Sequence, residues 1–346
     1  MANTDAIAKL LKDVNKVLGD NTVTTANNLP EVRKVRVFPS YDYLCGGGIP
    51  VGRIIEHVGP AGSFKSGAAY MAAASFQKQE FPTCAENLVG IVDVEGTYTK
   101  NWGTNFGIDN SRLLLSKPSS LEKAVDLTDF LLRDPNVSLV VFDSMQGTGA
   151  AGEVEKSMED EQMGINARFW NKAIRKFLAA MNSNPNKIIT LIVINGVYDK
   201  VGFVMGNPET SSNGKQLKYA KTLSVHFRAG QTHKLKNPEN GVELPSGRHY
   251  FLKTSKFKLG VYPLDSEIYV PLSDIDGAER NKPDETHQII ELASKLCLVD
   301  KKGSWFYVGE EKFQGKDALI QALREDVAFI DSLREKLYEQ FEIIHE

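Results

Sequence analysis

Apolar residues recur at helical spacing near the start of the chain, at Ile7, Leu10, Leu11, Val14 and Leu18. Steps of three and four predict a short amphipathic helix, able to cap its own core or to dock on a neighbouring subunit. Asn27 to Pro30 reads as a turn-rich linker, and the alternation in VRKVRVF (32–38) predicts a strand. The pattern then changes to continuous apolar runs. RIIEHVG (53–59) predicts a second strand that enters GPAGSFKS directly, and a helical stretch follows over 67–79. LVGIVDVEG (88–96) predicts a third strand, 121–133 a helix, SLVVFDS (138–144) a strand, 166–182 a helix and ITLIVIN (189–195) a strand. Alternation of this kind predicts an α/β fold: a mostly parallel sheet with helices on both faces.

Two long segments interrupt the pattern, 146–163 and 196–214. Connections of this length are usually functional or disordered. After Lys221 shorter strands follow, SVHFRA, HYFLKTSKF and SEIYV. From Asp284 the chain turns helical again, with ETHQIIELASKL and KDALIQALRE on either side of WFYVGEEKF. Residues 282–346 are expected to form a small α+β C-terminal domain.

Composition narrows the class only a little. The chain has 346 residues, 42% of them apolar and 25% charged, which suits one large α/β domain with smaller flanking elements, or two domains. The net charge of −3 gives no global nucleic-acid signature, although binding follows local basic patches. Cys45, Cys84 and Cys297 are far apart and odd in number, so neither a disulfide framework nor a metal spacing is visible. A reducing compartment is expected. No signal-type run opens the chain and no stretch of about 18 apolar residues occurs, so the expectation is a cytoplasmic protein without a membrane partner.

The chemistry concentrates at Gly59-Pro60-Ala61-Gly62-Ser63-Phe64-Lys65-Ser66, which leads through Gly67 into a helix. A glycine loop between strand and helix turns backbone N–H groups and the helix dipole toward phosphate. Lys65 would supply a point charge to the β- and γ-phosphates of ATP, and Ser66 a hydroxyl to Mg²⁺. The departure is Phe64, where the phosphate-loop pattern has Gly. The apolar strand ending at Asp143 would place a carboxylate opposite Ser66, holding the metal through water. A carboxylate at the end of the strand over 88–96 could polarise an attacking water. Asp93 and Glu95 share one strand face, so spacing does not choose between them.

With these residues in place the sequence resembles the RecA recombinases over nearly its whole length. GGGIPVGRIIEHVGPAGSFKS, IVDVEG, VVFDS, the VGFVMGNPETSSNG segment and GSWFYVGEEKFQGK occur in the family's order. Phe before the phosphate-loop Lys resembles the UvsX-type phage recombinases, which suggests a phage or divergent bacterial origin. The resemblance implies a P-loop NTPase core over 39–281, preceded by an oligomerisation helix and strand over 1–38. It selects Glu95 as the residue that activates water. Trp102 falls where the family stacks a ring on adenine, and Tyr219 where an aromatic packs into the next subunit.

Residues 153–164 and 197–213 resemble the family's two DNA-binding loops. Met163 and Val201 match apolar wedges between base triplets, with Gly164 and Lys200 beside them. Arg168 and Arg175, seven apart on one helix face, match phosphate-holding positions. The backbone around Asn213 and Gly214 would add phosphate contacts. Two departures stand out. Gly196 replaces the family's γ-phosphate-sensing Gln, which leaves that coupling to Asn195 or another group. Two interface lysines at spacing two in the family are here Lys253 and Lys256, at spacing three, with Lys256 the better match.

The expected function is a DNA-dependent ATPase of homologous recombination and repair. It would form a helical homo-oligomer on single-stranded DNA, pair it with homologous duplex, and work with single-strand-binding and mediator proteins. The alternatives are a nucleotide-binding mediator paralogue with little hydrolysis and a hexameric helicase-type ATPase. Retention of Lys65, Glu95 and Asp143 speaks against the first, and MGNPET with the C-terminal segment against the second.

Overall fold

The computed structural model describes residues 4–19, 23–28, 31–146, 162–183, 188–199, 209–210, 214–236, 241–273 and 278–345. The chain opens with α1 (Thr4–Leu18), whose Ile7, Leu10 and Val17 remain exposed. Strands β1 (Lys34–Val35) and β2 (Ile49–Pro50) pair antiparallel around α2 (Pro39–Leu44). The strand expected over 32–38 thus shrinks to two residues. The cause is local: the Asp42 carboxylate takes the Val37 N–H at 2.9 Å, and Pro39 pre-sets φ for the first turn of α2.

The βα alternation follows as the apolar runs predict. It comprises β3 (Ile54–Val58), α3 (Lys65–Gln77), β4 (Leu88–Asp93), α4 (Lys100–Asn105), β5 (Leu113–Ser116), α5 (Leu121–Arg133), β6 (Val137–Asp143), α6 (Gln162–Met181) and β7 (Thr190–Asn195). After the short pair β8 (Tyr198–Asp199) and β9 (Glu209–Thr210) come α7 (Gly214–Ala220), β10 (Leu223–Lys236), β11 (Glu243–Phe257) and β12 (Asp265–Pro271). The eight-stranded sheet has the order β12-β11-β10-β3-β7-β6-β4-β5. Strands β10, β3, β7, β6, β4 and β5 run parallel, while β11 and β12 extend one edge antiparallel.

Alternate residues of each central strand go to opposite faces. Ile55, Ile91, Val141 and Ile192 pack with the alanine-rich α3. Ile54, Val92, Phe142 and Val193 pack with Leu121 and Leu132 of α5 and with Trp170, Ile174 and Phe177 of α6. Burying each such side chain contributes about 1.5–3 kcal/mol. Because parallel strands all point the same way, their C-terminal ends collect along one edge of the sheet. That edge receives the site residues.

The C-terminal segment consists of α8 (Glu285–Lys295), an antiparallel sheet of β13 (Asp300–Lys302), β14 (Trp305–Val308) and β15 (Glu311–Gln314), α9 (Lys316–Glu325) and α10 (Val327–His345). Ile289, Leu319, Leu337 and Phe341 belong to the same apolar cluster as α2 and α3. Tyr338 donates to Asp42 at 2.5 Å, and the guanidinium of Arg36 lies 3.9 Å from the centre of the Tyr338 ring. Burial pushes the Asp42 carboxyl up to about 8.

Candidate functional site

The phosphate loop lies between β3 and α3, as the motif requires. Glycine is needed at Gly59, where a Cβ would come within 2.1 Å of the Phe227 carbonyl oxygen. Phe64 adopts a left-handed conformation, φ +76°, immediately before α3. That conformation explains why glycine is usual there. Its ring lies over Gly67, where a Cβ would meet ring carbon at 2.7 Å. The bulky residue is therefore accommodated by removing a side chain one helical turn away.

Lys65 Nζ donates to the Pro60 carbonyl at 2.7 Å, and burial lowers the pKa of its ammonium. Its backbone carbonyl is held by a residue that motif reasoning missed. His57 Nδ1 sits 3.2 Å from Lys65 O, and His57 Nε2 sits 2.7 Å from the Tyr41 hydroxyl. A carbonyl can only accept, so Nδ1 carries the proton and Nε2 accepts from Tyr41. Burial lowers the pKa of His57 to about 4, which keeps the ring neutral.

The three carboxylates separate by environment. Asp93 is buried and accepts from the Thr97 and Tyr98 N–H groups at 3.1 and 2.8 Å, which commits it to the turn after β4. Glu95 is exposed and accepts from Ser144 Oγ at 2.6 Å. Asp143 ends β6, with Tyr70 Oη 3.3 Å away. Burial, against a hydrogen bond from Ser66 and with Glu95 and Asp93 adding negative charge, raises Asp143 to about 6. This set of a helix-start hydroxyl and a buried carboxylate fits Mg²⁺, which binds through few protein oxygens and completes its shell with water and phosphate.

Trp102 lies on α4, 39% exposed, its N–H capped by Thr99 Oγ1 at 3.2 Å. Its ring meets Phe106 edge-on at 5.0 Å; Phe106 meets Phe64 at 6.1 Å, and Phe64 meets Tyr250 at 5.4 Å. An aromatic row thus joins the expected base-stacking residue to the phosphate loop. Phe106 and Tyr250 carried no sequence signal, because neither lies in a motif.

On the antiparallel flank the ladder pairs Ser224 with Lys256, Val225 with Thr254 and His226 with Lys253, leaving Ser255 as a bulge. A spacing of three across a bulge returns a side chain to the same face. Lys253 and Lys256 therefore face one way, opposite the buried Leu252, Thr254 and Phe257. Lys256 Nζ donates to Lys218 O, and Lys258 Nζ to Tyr219 O at 2.7 Å. Both ammonium groups thus cap the last carbonyls of α7, where the helix dipole favours cations. Burial, with Lys258 and Lys221 nearby, lowers the pKa of Lys256. Tyr219 on the same helix is 66% exposed.

Arg168 and Arg175 are exposed on α6, opposite its buried Trp170, Ile174 and Phe177. Met163 and Gly164 fall in the first turn of α6, and Gly214 begins α7. Lys200, Val201 and Asn213 lie outside the described residues, as do 153–161.

A phosphate loop between a parallel strand and a helix, faced by a carboxylate at the end of β6, the next strand but one, defines a P-loop NTPase of α/β architecture. The comparisons narrow the class. The RecA N-terminal domain matches residues 5–259 and the RecA C-terminal domain residues 287–342. Protein RecA of Mesomycoplasma hyopneumoniae (strain 7448) is 30% identical over 340 residues, covering 96% of this chain and 94% of its own. Protein RecA of Mesoplasma florum is 30% identical over 344 residues, covering 98% and 96%, and that of Chloroherpeton thalassium 31% over 325, covering 93% and 84%. The chain belongs to the RecA family. Among the described residues no helix is long and apolar enough to cross a membrane.

Proposed function

We propose that this protein is an ATP-dependent recombinase, polymerising on single-stranded DNA and pairing it with homologous duplex. The observation that carries the reading is the convergence, on one sheet edge, of the phosphate loop with Asp143, Ser144 and Glu95. Both long segments matching the family's DNA loops leave from that same edge. Backbone N–H groups at 59–66 and the N-terminus of α3 hold the triphosphate, and Lys65 neutralises its terminal charge. Ser66, and Asp143 through water, would hold Mg²⁺, which supplies charge neutralisation on the phosphates. Glu95, fixed by the Ser144 hydroxyl, orients and polarises the attacking water. Trp102 stacks on the base.

Lys253 and Lys256, on one face of β11, reach the triphosphate of the adjoining protomer. ATP then lies between subunits and strengthens a head-to-tail contact that grows a helix instead of closing. Arg168 and Arg175 hold DNA phosphates without reading sequence, so affinity falls with salt.

The test is strand exchange with purified protein, Mg²⁺–ATP, a circular single strand and homologous linear duplex, with ATP hydrolysis followed alongside. The reading expects joint molecules only with homologous DNA, and hydrolysis stimulated by single strand. Tight ATP binding with no DNA stimulation and no joint molecules would overturn it in favour of a mediator.

A further inference from the structure

Gly196, the first residue after β7, has no room for a side chain. A Cβ built there would lie 2.2 Å from Gln146 Oε1 and 2.6 Å from Gln146 Cδ. Its backbone is not in the left-handed region, and the nearest obstacle is the Gln146 side chain. The amide of Gln146, just past β6, therefore fills the volume in which a side chain at 196 would begin.

Gln146 is hydrogen-bonded in both directions, through its side-chain amide on one side and its backbone N–H on the other. Gln146 Nε2 donates to Asn195 Oδ1 at 3.2 Å, and Asn195 Nδ2 donates to Glu56 Oε1 at 2.9 Å. The buried Glu56 also accepts from Ser224 Oγ at 2.6 Å and is paired with Lys221 Nζ. An ionised carboxylate only accepts, so the orientation of each amide along this row is fixed from the Glu56 end. On the other side, the backbone N–H of Gln146 donates to Ser144 Oγ at 3.3 Å, the hydroxyl that donates to Glu95. The row crosses β4, β6, β7, β3 and β10 in their spatial order. It runs from the carboxylate beside the phosphate site to the lysine that follows α7.

The ends of this row coincide with the roots of the two long segments. One segment leaves immediately after Gln146, and the other leaves after Gly196 and returns into α7, about two turns before Lys221 anchors on Glu56. The two returning helices are themselves tied, with the Gln216 N–H donating to Asn171 Oδ1 of α6 at 3.0 Å. In a polar row linked in this way, displacing one member shifts the hydrogen-bond partner of the next.

We propose that Gln146 is the positioning residue through which the state of the nucleotide site is passed to the roots of both DNA-binding segments. Its amide does this from the β6 side, across the space left open by Gly196. The proposal rests on the recombinase reading given above. A shift of Ser144 with Glu95 changes the place of Gln146, which carries Asn195 and hence the exit of the second segment. Lys221 passes the same displacement to its return.

The test measures the affinity of the full-length protein for a fluorescent oligothymidine, with a non-hydrolysable ATP analogue and with ADP, and takes the ratio. Nucleotide binding is followed with a fluorescent ATP analogue to show that each variant retains its site. Gln146→Ala is expected to reduce the ratio by about tenfold. Adding Gly196→Gln to Gln146→Ala returns an amide to the same space from the β7 side and is expected to restore the ratio. Adding Gly196→Leu instead fills the volume without an amide and is expected not to. An unchanged ratio in Gln146→Ala, or equal recovery with Leu and Gln, would overturn the proposal while leaving the recombinase reading intact. A wild-type ratio of one would overturn both.

Discussion

The parallel half of the sheet and its antiparallel flank place chemistry by different means. In the parallel half, Lys65, Glu95 and Asp143 sit where strands end, and each is set by the few residues around it. On the flank, Lys253 and Lys256 sit inside β11, and their direction depends on the bulge at Ser255. Within the parallel part, one strand in from the β10 that carries the flank, lies the buried Glu56 on β3, with Asn195 on one side and Ser224 on the other. Strand-end chemistry is local, whereas mid-strand chemistry is a property of register.

The buried Glu56 should give the largest effect. Burial alone would raise the Glu56 carboxyl, but Lys221 and the hydrogen bonds from Ser224 and Asn195 more than offset it and leave it below its usual range. Lys221→Ala leaves a buried carboxylate without a counter-charge, and a loss of about 3–5 kcal/mol is expected in urea unfolding. A loss confined to a few tenths would mean that Lys221 does not hold the Glu56 carboxylate. On the parallel side, Lys65→Ala should lower ATP turnover by about 100- to 1000-fold while unfolding stays near wild type. Undiminished turnover would move the phosphate site elsewhere.

Phe64 and Gly67 form a coupled pair within the same half. Gly67→Ser puts a Cβ against the Phe64 ring, with an expected cost of about 1–3 kcal/mol. The same change beside Phe64→Gly should cost less, and equal costs in both backgrounds would break the pairing. Asp143 gives a pH test with two signs. Its folded-state value is raised to about 6, so it is neutral below that pH and ionised above it. Metal-dependent ATP binding should therefore weaken as pH falls through about 6. Its stabilising contribution is present below the unfolded-state value and lost as pH rises through about 6. Asp143→Asn should then gain stability over wild type at pH 8 and not at pH 4 in thermal unfolding. A pH-independent difference would place the titration elsewhere. Deleting Ser255 should have the smallest effect, because Lys253 and Lys256 at spacing two still share a face. Loss of ATP-dependent assembly in that variant would show that the bulge itself matters.

The same contrast explains what could be read in the sequence. The apolar runs at 54–58, 88–93, 137–143 and 190–195 announce buried parallel strands, and the loop at 59–66 announces phosphate, because both signals are local. Glu95 and Asp93 could not be separated by spacing; they part in the structure because backbone N–H groups at 97 and 98 occupy Asp93. The apparent misplacement of Lys253 had its cause in a ladder partner thirty residues upstream. His57 and Glu56 were visible as polar residues in an apolar strand, but their partners Tyr41, Lys221 and Asn195 come from distant segments. The two-residue β1 shows the reverse error, an alternating run stopped by an Asp42 carboxylate and a proline.

On the proposed function, the grip of residues 59–66 on a triphosphate controls assembly on DNA. Electron microscopy of the protein on long single strands, with Mg²⁺ and either a non-hydrolysable ATP analogue or ADP, tests this most directly. The account predicts regular helical polymers along the DNA with the triphosphate and their loss with ADP. Polymers indifferent to nucleotide, or closed rings under every condition, would contradict it.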